Sequence, residues 1–209
     1  QNLYLQTIRK SSAHLLALIN DVLDFSKIDA GKLELDTATF DLEEAIFDVM
    51  DMLSPLAAQK HIDMAFYYAD NVPKHVVGDA LRFKQILTNL ISNAIKFTPD
   101  GEIIVRARME QDDIGQCLLH FSVQDSGIGL SGTDRKKLFE SFSQGDASVT
   151  RQFGGTGLGL AISKQLVHLM QGQIGFEDNQ ERAPTEKGST FWFTAMFMVN
   201  EEDEYVEHP

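Results

Sequence analysis

Residues 154–160, Gly-Gly-Thr-Gly-Leu-Gly-Leu, restrict the fold of this chain more than any other segment, because four glycines within six residues do not suit the interior of a helix or a strand. The segment has to be a loop. From Leu158 to Met170 apolar residues recur at helical spacing, so the loop is expected to run straight into a helix. Successive glycines free backbone N–H groups to surround phosphate oxygens, and a helix N-terminus adds partial positive charge. The Gly-Lys-Ser/Thr ending of a Walker loop is absent. An ordinary flexible loop is the plain alternative.

A second segment narrows the choice. Ala80 to Phe97 reads as a helix with Asp79 as its N-cap, and it places Asn89, Asn93 and Lys96 at i, i+4 and i+7, on one face. Asn is a poor interior helix former and an unsatisfied buried amide is costly, so the pattern calls for a polar ligand or for water. A neutral amide oxygen such as that of Asn93 suits magnesium as a single protein ligand, the ion keeping its other positions for phosphate and water. A merely hydrated polar face fits the pattern as well.

A third segment, Asp125-Ser126-Gly127-Ile128-Gly129, follows directly on the alternating run Leu118 to Gln124. A carboxylate at a strand end can accept a hydrogen bond from the exocyclic amine of adenine, and the glycines let the backbone approach the base. Gly127, Gly129 and Gly132 also match G-x-G-x-x-G formally. A dinucleotide fold needs a helix opening within that motif and an acidic residue about 20 positions later, whereas this region continues as Gln152-Phe153-Gly154-Gly155.

The remaining elements fill in an α+β domain. Residues 3–30 are expected to form a long helix with an apolar seam through Leu5, Ile8, Leu15, Ile19 and Val22, ending near Gly31. A strand is expected over Leu33 to Phe40, a helix over Leu42 to Lys60 and a strand over Ile62 to Tyr68. Ile103, Val105, Ala107 and Met109 alternate along the first strand of a hairpin turning at Asp112–Gly115. A short helix is expected near Arg135 to Phe142, then strands near Gln173–Glu177 and Gly188–Met198, with an acidic tail over 201–209. This order suggests a two-layer α/β sandwich with helices on one face of a mixed sheet. The single cysteine, Cys117, lies in the alternating run and reads as a buried thiol in a reducing compartment. The balance of 18 Lys+Arg against 31 Asp+Glu, a net charge of −13, argues against nucleic acid as a partner. No run approaches the roughly 18 apolar residues of a membrane span.

Taken together and in this order, the segments resemble the ATP-binding catalytic domain of sensor histidine kinases, a branch of the superfamily that includes gyrase, Hsp90 and MutL. The resemblance implies the Bergerat, or GHKL, ATP-binding fold. It makes Asn89–Lys96 the asparagine box, Asp125–Gly129 the first glycine box, Phe139–Phe142 the phenylalanine box and Gly155–Gly159 the second glycine box. Gly188-Ser189-Thr190 is similar to the closing motif, its threonine holding an adenine-side water network. Asn20 to Ile28 is similar to the end of the second dimerisation helix. With Gly78, Asp79, Leu81 and Arg82 and the Gly188 to Phe193 segment, this stretch is most similar to hybrid sensor kinases of the BarA, GacS and VarS kind.

The resemblance implies a division into residues 1–31, the second dimerisation helix, 32–200, the catalytic domain, and 201–209, the tail. It implies ATP and Mg2+ as cofactors, with Asn93 as the metal ligand and Asn89 and Lys96 as the phosphate-facing catalytic residues. The nucleotide contacts would be Asn89, Asn93, Lys96, Phe97, Asp125, Gly127, Gly129, Arg151, Gly155, Thr156, Gly157, Leu158, Gly159 and Thr190. The implied partners are the chain's own dimerisation domain with its acceptor histidine, a response regulator or receiver domain, and a second copy. The acceptor histidine of the family precedes an acidic residue and an arginine, and none of His14, His61, His75, His120, His168 or His208 does. This stretch is therefore expected to bind ATP without phosphorylating itself. It is expected to be cytoplasmic, in a longer protein anchored in the inner membrane. A GHKL-type ATPase and a degenerate kinase serving as an interaction module are the rival readings.

Overall fold

The computed structural model describes residues 22–129, 157–179 and 188–199, together with positions 12, 15, 16, 19, 20, 138 and 139. The described positions from 12 to 29 are helical, and residues 22–29 are designated α1. The order continues β1 (Ala38–Asp41), α2 (Leu42–Ala58), β2 (Ile62–Tyr68), β3 (His75–Gly78), α3 (Ala80–Phe97), β4 (Gly101–Asp113), β5 (Gln116–Asp125), α4 (Gly159–Leu169), β6 (Ile174–Asp178) and β7 (Ser189–Val199). The strands form one open seven-stranded sheet in the order β1-β3-β7-β5-β4-β2, with β6 also paired to β7. The β2–β4 pair is parallel and the others are antiparallel, so the sheet is mixed as the sequence suggests.

Three helices cover one face. Ile103, Val105 and Ala107 of β4, Cys117, Leu119, Phe121 and Val123 of β5, and Phe193, Ala195 and Phe197 of β7 are buried there, following the period of two that sends alternate side chains to one side. Helix α3 presents Phe83, Ile86, Leu87, Leu90, Ile91, Ala94 and Ile95 to this surface at three-four spacing. Burial pushes the Cys117 thiol up to about 11, as befits an inert core residue. On the opposite face Arg106 donates to Gln124 and lies over the Tyr67 ring, while His120 stacks on Trp192 at 5.6 Å.

Two strands differ from expectation. Residues 32–37 carry no strand, and β1 begins only at Ala38, because the Asp36 amide is taken by Asp79 Oδ2 while Leu33 and Leu35 lie against the core. Strand β3 has no counterpart in the sequence reading. With four residues it is too short to display alternation, yet it joins β1 to β7. The hairpin turn between β4 and β5 narrows to Ile114–Gly115, and the register shifts between Met109 and Gln111. The 135–142 and 201–209 expectations fall outside the described residues, apart from positions 138 and 139.

Helix α1 is tied to α3 by a small polar network. Arg82 donates to Asp24 at 2.7 Å and to Gln85 at 2.7 Å, and Gln85 donates to Asp24 at 3.0 Å. Phe25 and Ile28 pack against the core from the same helix, whereas Leu15, Leu16, Ile19, Val22 and Leu23 are exposed. Among the described residues no helix is long and apolar enough to cross a membrane.

Just beyond α3, Thr98 is fully buried, and its hydroxyl is the one buried side-chain polar atom among the described residues that has no hydrogen-bond partner. Its backbone is extended (φ −99°, ψ 115°), a conformation that β-branched residues favour. Thr98→Val keeps the shape and removes the unsatisfied hydroxyl, so the variant should be more stable by about 1 kcal/mol, read as a higher urea midpoint at unchanged m-value.

Candidate functional site

At 100° per residue, Arg82, Gln85, Asn89, Asn93 and Lys96 form one polar stripe along α3, opposite the apolar face. Its C-terminal half meets the start of α4. Asn89 Nδ2 donates to Ser163 Oγ at 2.9 Å, and Asn93 Nδ2 donates to Asn89 Oδ1 at 3.3 Å. Gly159 makes this approach possible, since a Cβ there would run into Asn89 Oδ1. Leu158, 3% exposed, anchors the turn before α4. The Lys96 ammonium sits 4.9 Å from the Phe97 ring centroid, and burial holds its pKa below the usual lysine value.

The end of α3 is fastened by a residue that the sequence reading passed over. Lys60 Nζ, from the turn after α2, donates to the carbonyl oxygens of Ile95 (2.6 Å), Lys96 (2.9 Å) and Thr98 (3.2 Å). A cation among the last carbonyls of a helix satisfies acceptors that have no intrahelical partner and opposes the negative end of the dipole. In sequence, a lysine beside a turn looks like any solvated charge.

Asp125 closes β5 and is 4% exposed. Its Oδ1 accepts from the Gly127 amide at 2.9 Å. Burial holds the carboxyl above the ordinary aspartate range, against the opposing hydrogen bonds from Gly127 and Ser189. A Cβ on Gly127 would press on both the Phe97 carbonyl and the Asp125 carboxylate, and the Ile128 amide donates to that carbonyl at 3.3 Å. The strand end is thereby stitched to the end of α3. Gly129 and Gly157 both adopt φ +70°, in the left-handed region. No helix opens within residues 127–129, as a dinucleotide fold would need.

In the closing motif Ser189 and Thr190 point to opposite faces of the sheet. The β5–β7 register sets Thr190 opposite Gln124 and Ser189 opposite Asp125. It is Ser189 that hydrogen-bonds Asp125. Thr190 Oγ1 donates to Asn179 Oδ1 at 2.8 Å, and Asn179 Nδ2 donates to the Asp125 backbone carbonyl at 3.1 Å, so Thr190 reaches Asp125 only indirectly. The signal was present in the sequence: Ser189 is in phase with Phe191, Phe193, Ala195 and Phe197, which face the helices. Asn179 and Ser163 carry no such signal. Arg151, Gly155 and Thr156 lie outside the described residues.

The donor set fits a magnesium nucleotide. A buried carboxylate beside backbone amides can accept from an adenine amine, and Asn93 Oδ1, used by no described neighbour, is the hard oxygen that magnesium prefers. Among the described residues no three His, Cys, Asp or Glu side chains gather as metal ligands.

Comparison with known proteins gives the family. Residues 78–197, more than half of the chain, match the family described as histidine kinase-, DNA gyrase B-, and HSP90-like ATPase. Sensor histidine kinase GacS of Pseudomonas protegens is 49% identical over 91% of this chain and 20% of its own length. Signal transduction histidine-protein kinase BarA of Escherichia coli is 42% identical over 91% of this chain and 20% of its own length. The chain thus spans about a fifth of these relatives. Among solved structures, full-length ShkA in complex with AMPPNP superposes with a TM-score of 0.77 at 35% identity, covering 96% of this chain and 39% of that one. With its mixed open sheet and one-sided helices, the chain belongs to the histidine kinase-, DNA gyrase B-, and HSP90-like ATPase family, as an ATP-binding catalytic domain of the sensor histidine kinase branch.

Proposed function

We propose that this domain holds Mg-ATP and donates the γ-phosphoryl group to a histidine presented by a dimerisation domain, within a hybrid kinase that passes the group on to a receiver or response regulator. The observation that carries the reading is that both glycine segments pack on the C-terminal half of α3, Gly127 against Phe97 and Gly159 against Asn89. Base, phosphate and metal ligands would then share one short length of helix.

In this reading Asp125, steadied by Gly127 and Ser189, accepts the adenine amine and rejects guanine, which offers an acceptor there. Asn93 supplies the amide oxygen for magnesium, whose positive charge neutralises phosphate oxygens. Asn89 and Lys96 face the phosphates, and Phe97 lies beside the base. The loop that includes Gly154, Gly155, Thr156, Gly157 and Gly159, with Arg151, closes over the phosphate end. The acceptor imidazole nitrogen bonds to the γ-phosphorus as the bond to the ADP oxygen breaks, and the imidazole gives up its ring proton. Positioning and charge neutralisation supply most of the acceleration.

Residues 1–31 are read as the second dimerisation helix, 32–200 as the catalytic domain and 201–209 as a solvated tail. The exposed stripe Leu15, Leu16, Ile19, Val22 and Leu23 supports a helical partner and a dimer. The ATPase rival is disfavoured by Asn89, an amide held between Ser163 and Asn93 where a water-activating base would be required.

Calorimetry with Mg-ATP should give at least tenfold weaker binding for Asp125→Asn, in keeping with the roughly 1.5–3 kcal/mol of a hydrogen bond to a charged group. Because burial raises the Asp125 pKa, wild-type affinity should fall as the pH is lowered through that raised value, above the range of an ordinary aspartate, and the Asn variant should lack this limb. Supplied with labelled ATP and a separate fragment bearing the acceptor helix, the wild-type domain should label histidine and Asp125→Asn should not. Label with neither protein would leave a nucleotide-binding module. ATP hydrolysis by this domain that persists in Asn89→Ala would favour an ATPase.

A further inference from the structure

We propose that Ser163 is a positioning residue for the metal site: acting through Asn89, it holds the Asn93 amide in place to face the magnesium ion. The inference rests on the assignment of Asn93 as the magnesium ligand. An asparagine amide is nearly symmetric in shape, with a carbonyl oxygen on one arm and an NH2 donor on the other, so its orientation is decided by its hydrogen-bond partners. Asn93 has to present oxygen to a cation. A flipped amide would present two positively polarised hydrogens instead.

The partners form a chain of two hydrogen bonds. Ser163 Oγ accepts from Asn89 Nδ2 at 2.9 Å, which ties the Asn89 side chain to α4. Asn89 Oδ1 is left facing the next turn of α3, where it accepts from Asn93 Nδ2 at 3.3 Å. With its NH2 engaged toward Asn89, Asn93 holds its carbonyl oxygen on the other side. Replacing the Ser163 hydroxyl with hydrogen removes the anchor. Asn89 is then free to leave its position, and Asn93 loses the fixed acceptor that holds its NH2 away from the ion.

The setting of Ser163 supports a dedicated role. It is 2% exposed, one of the buried residues of α4 with Ala161, Ile162, Leu166 and Val167. A buried hydroxyl in such surroundings is costly unless bonded, and the bond it makes crosses to the helix that bears the candidate metal ligand. Gly159, one turn earlier on α4, keeps the two helices close enough for it.

The test is titration of the domain with AMPPNP in MgCl2 and in EDTA, using wild type, Ser163→Ala, Ser163→Cys and Ser163→Thr, with a thermal melt to show that each is folded. Wild type should bind more tightly in magnesium. Ser163→Ala should lose about tenfold of that magnesium-dependent gain while its EDTA affinity stays within about twofold of wild type, a split that general loosening of α4 would not produce. Ser163→Thr, which keeps the hydroxyl, should restore the gain, and Ser163→Cys, a weaker acceptor, should fall between. A folded Ser163→Ala, or a folded Ser163→Cys if the alanine variant does not fold, that retains the full wild-type gain overturns the positioning role and leaves the Asn93 assignment standing. A wild-type domain with no magnesium-dependent gain overturns the Asn93 assignment and this inference with it.

Discussion

The burial of one face of α3 against the sheet is the interaction on which the rest depends. Phe83 is fully buried at its centre, with ring centroids 4.9 Å from Phe121, 6.1 Å from Phe193 and 6.0 Å from Phe197. Each such aromatic pair contributes on the order of 0.5–1.5 kcal/mol beyond the area it removes from water. Once this side of the helix is committed to three strands, its polar stripe has only one direction left to face. The glycine segments that follow β5 and precede α4 then close on that stripe from two sides, because Gly127 and Gly159 have no side chain to hold them off.

That arrangement reconciles an acidic protein with a phosphate ligand. A net charge of −13 would repel a nucleotide if long-range attraction were the means of holding it. In the proposed site the groups at hand are mostly short-range dipoles instead: amides of Asn89 and Asn93, backbone N–H groups beside glycines, and the start of α4. Lys96 adds a single positive charge, and its lowered pKa reflects the partial desolvation that makes such dipoles effective.

The parts legible in the sequence were those whose cause is local. Helix α3 carries its own N-cap in Asp79 and its own amphipathic period, and both of its bounds fall where the pattern predicts. Strand β2 likewise matches. What escaped was whatever depends on distant partners. Strand β3 exists because β1 and β7 flank it. Lys60 is 35 residues from the carbonyl of Ile95, Ser163 is 74 from Asn89, and Asn179 is 54 from Asp125, so nothing beside them in the chain announces their bonds. That Ser189 faces the same side as Asp125 was legible in principle, since a period of two assigns faces.

The polar stripe has a further consequence. Arg82 and Gln85, which grip Asp24 of α1, continue into Asn89 and Asn93 on the same side of one helix, about 16 Å apart end to end at the rise of an α-helix. A helix whose other side is locked into an aromatic core cannot roll about its axis without disturbing both ends together. The grip on α1 and the proposed grip on the nucleotide are therefore spokes of a single axle, and a change in α1 acts on the same rigid part that carries Asn93.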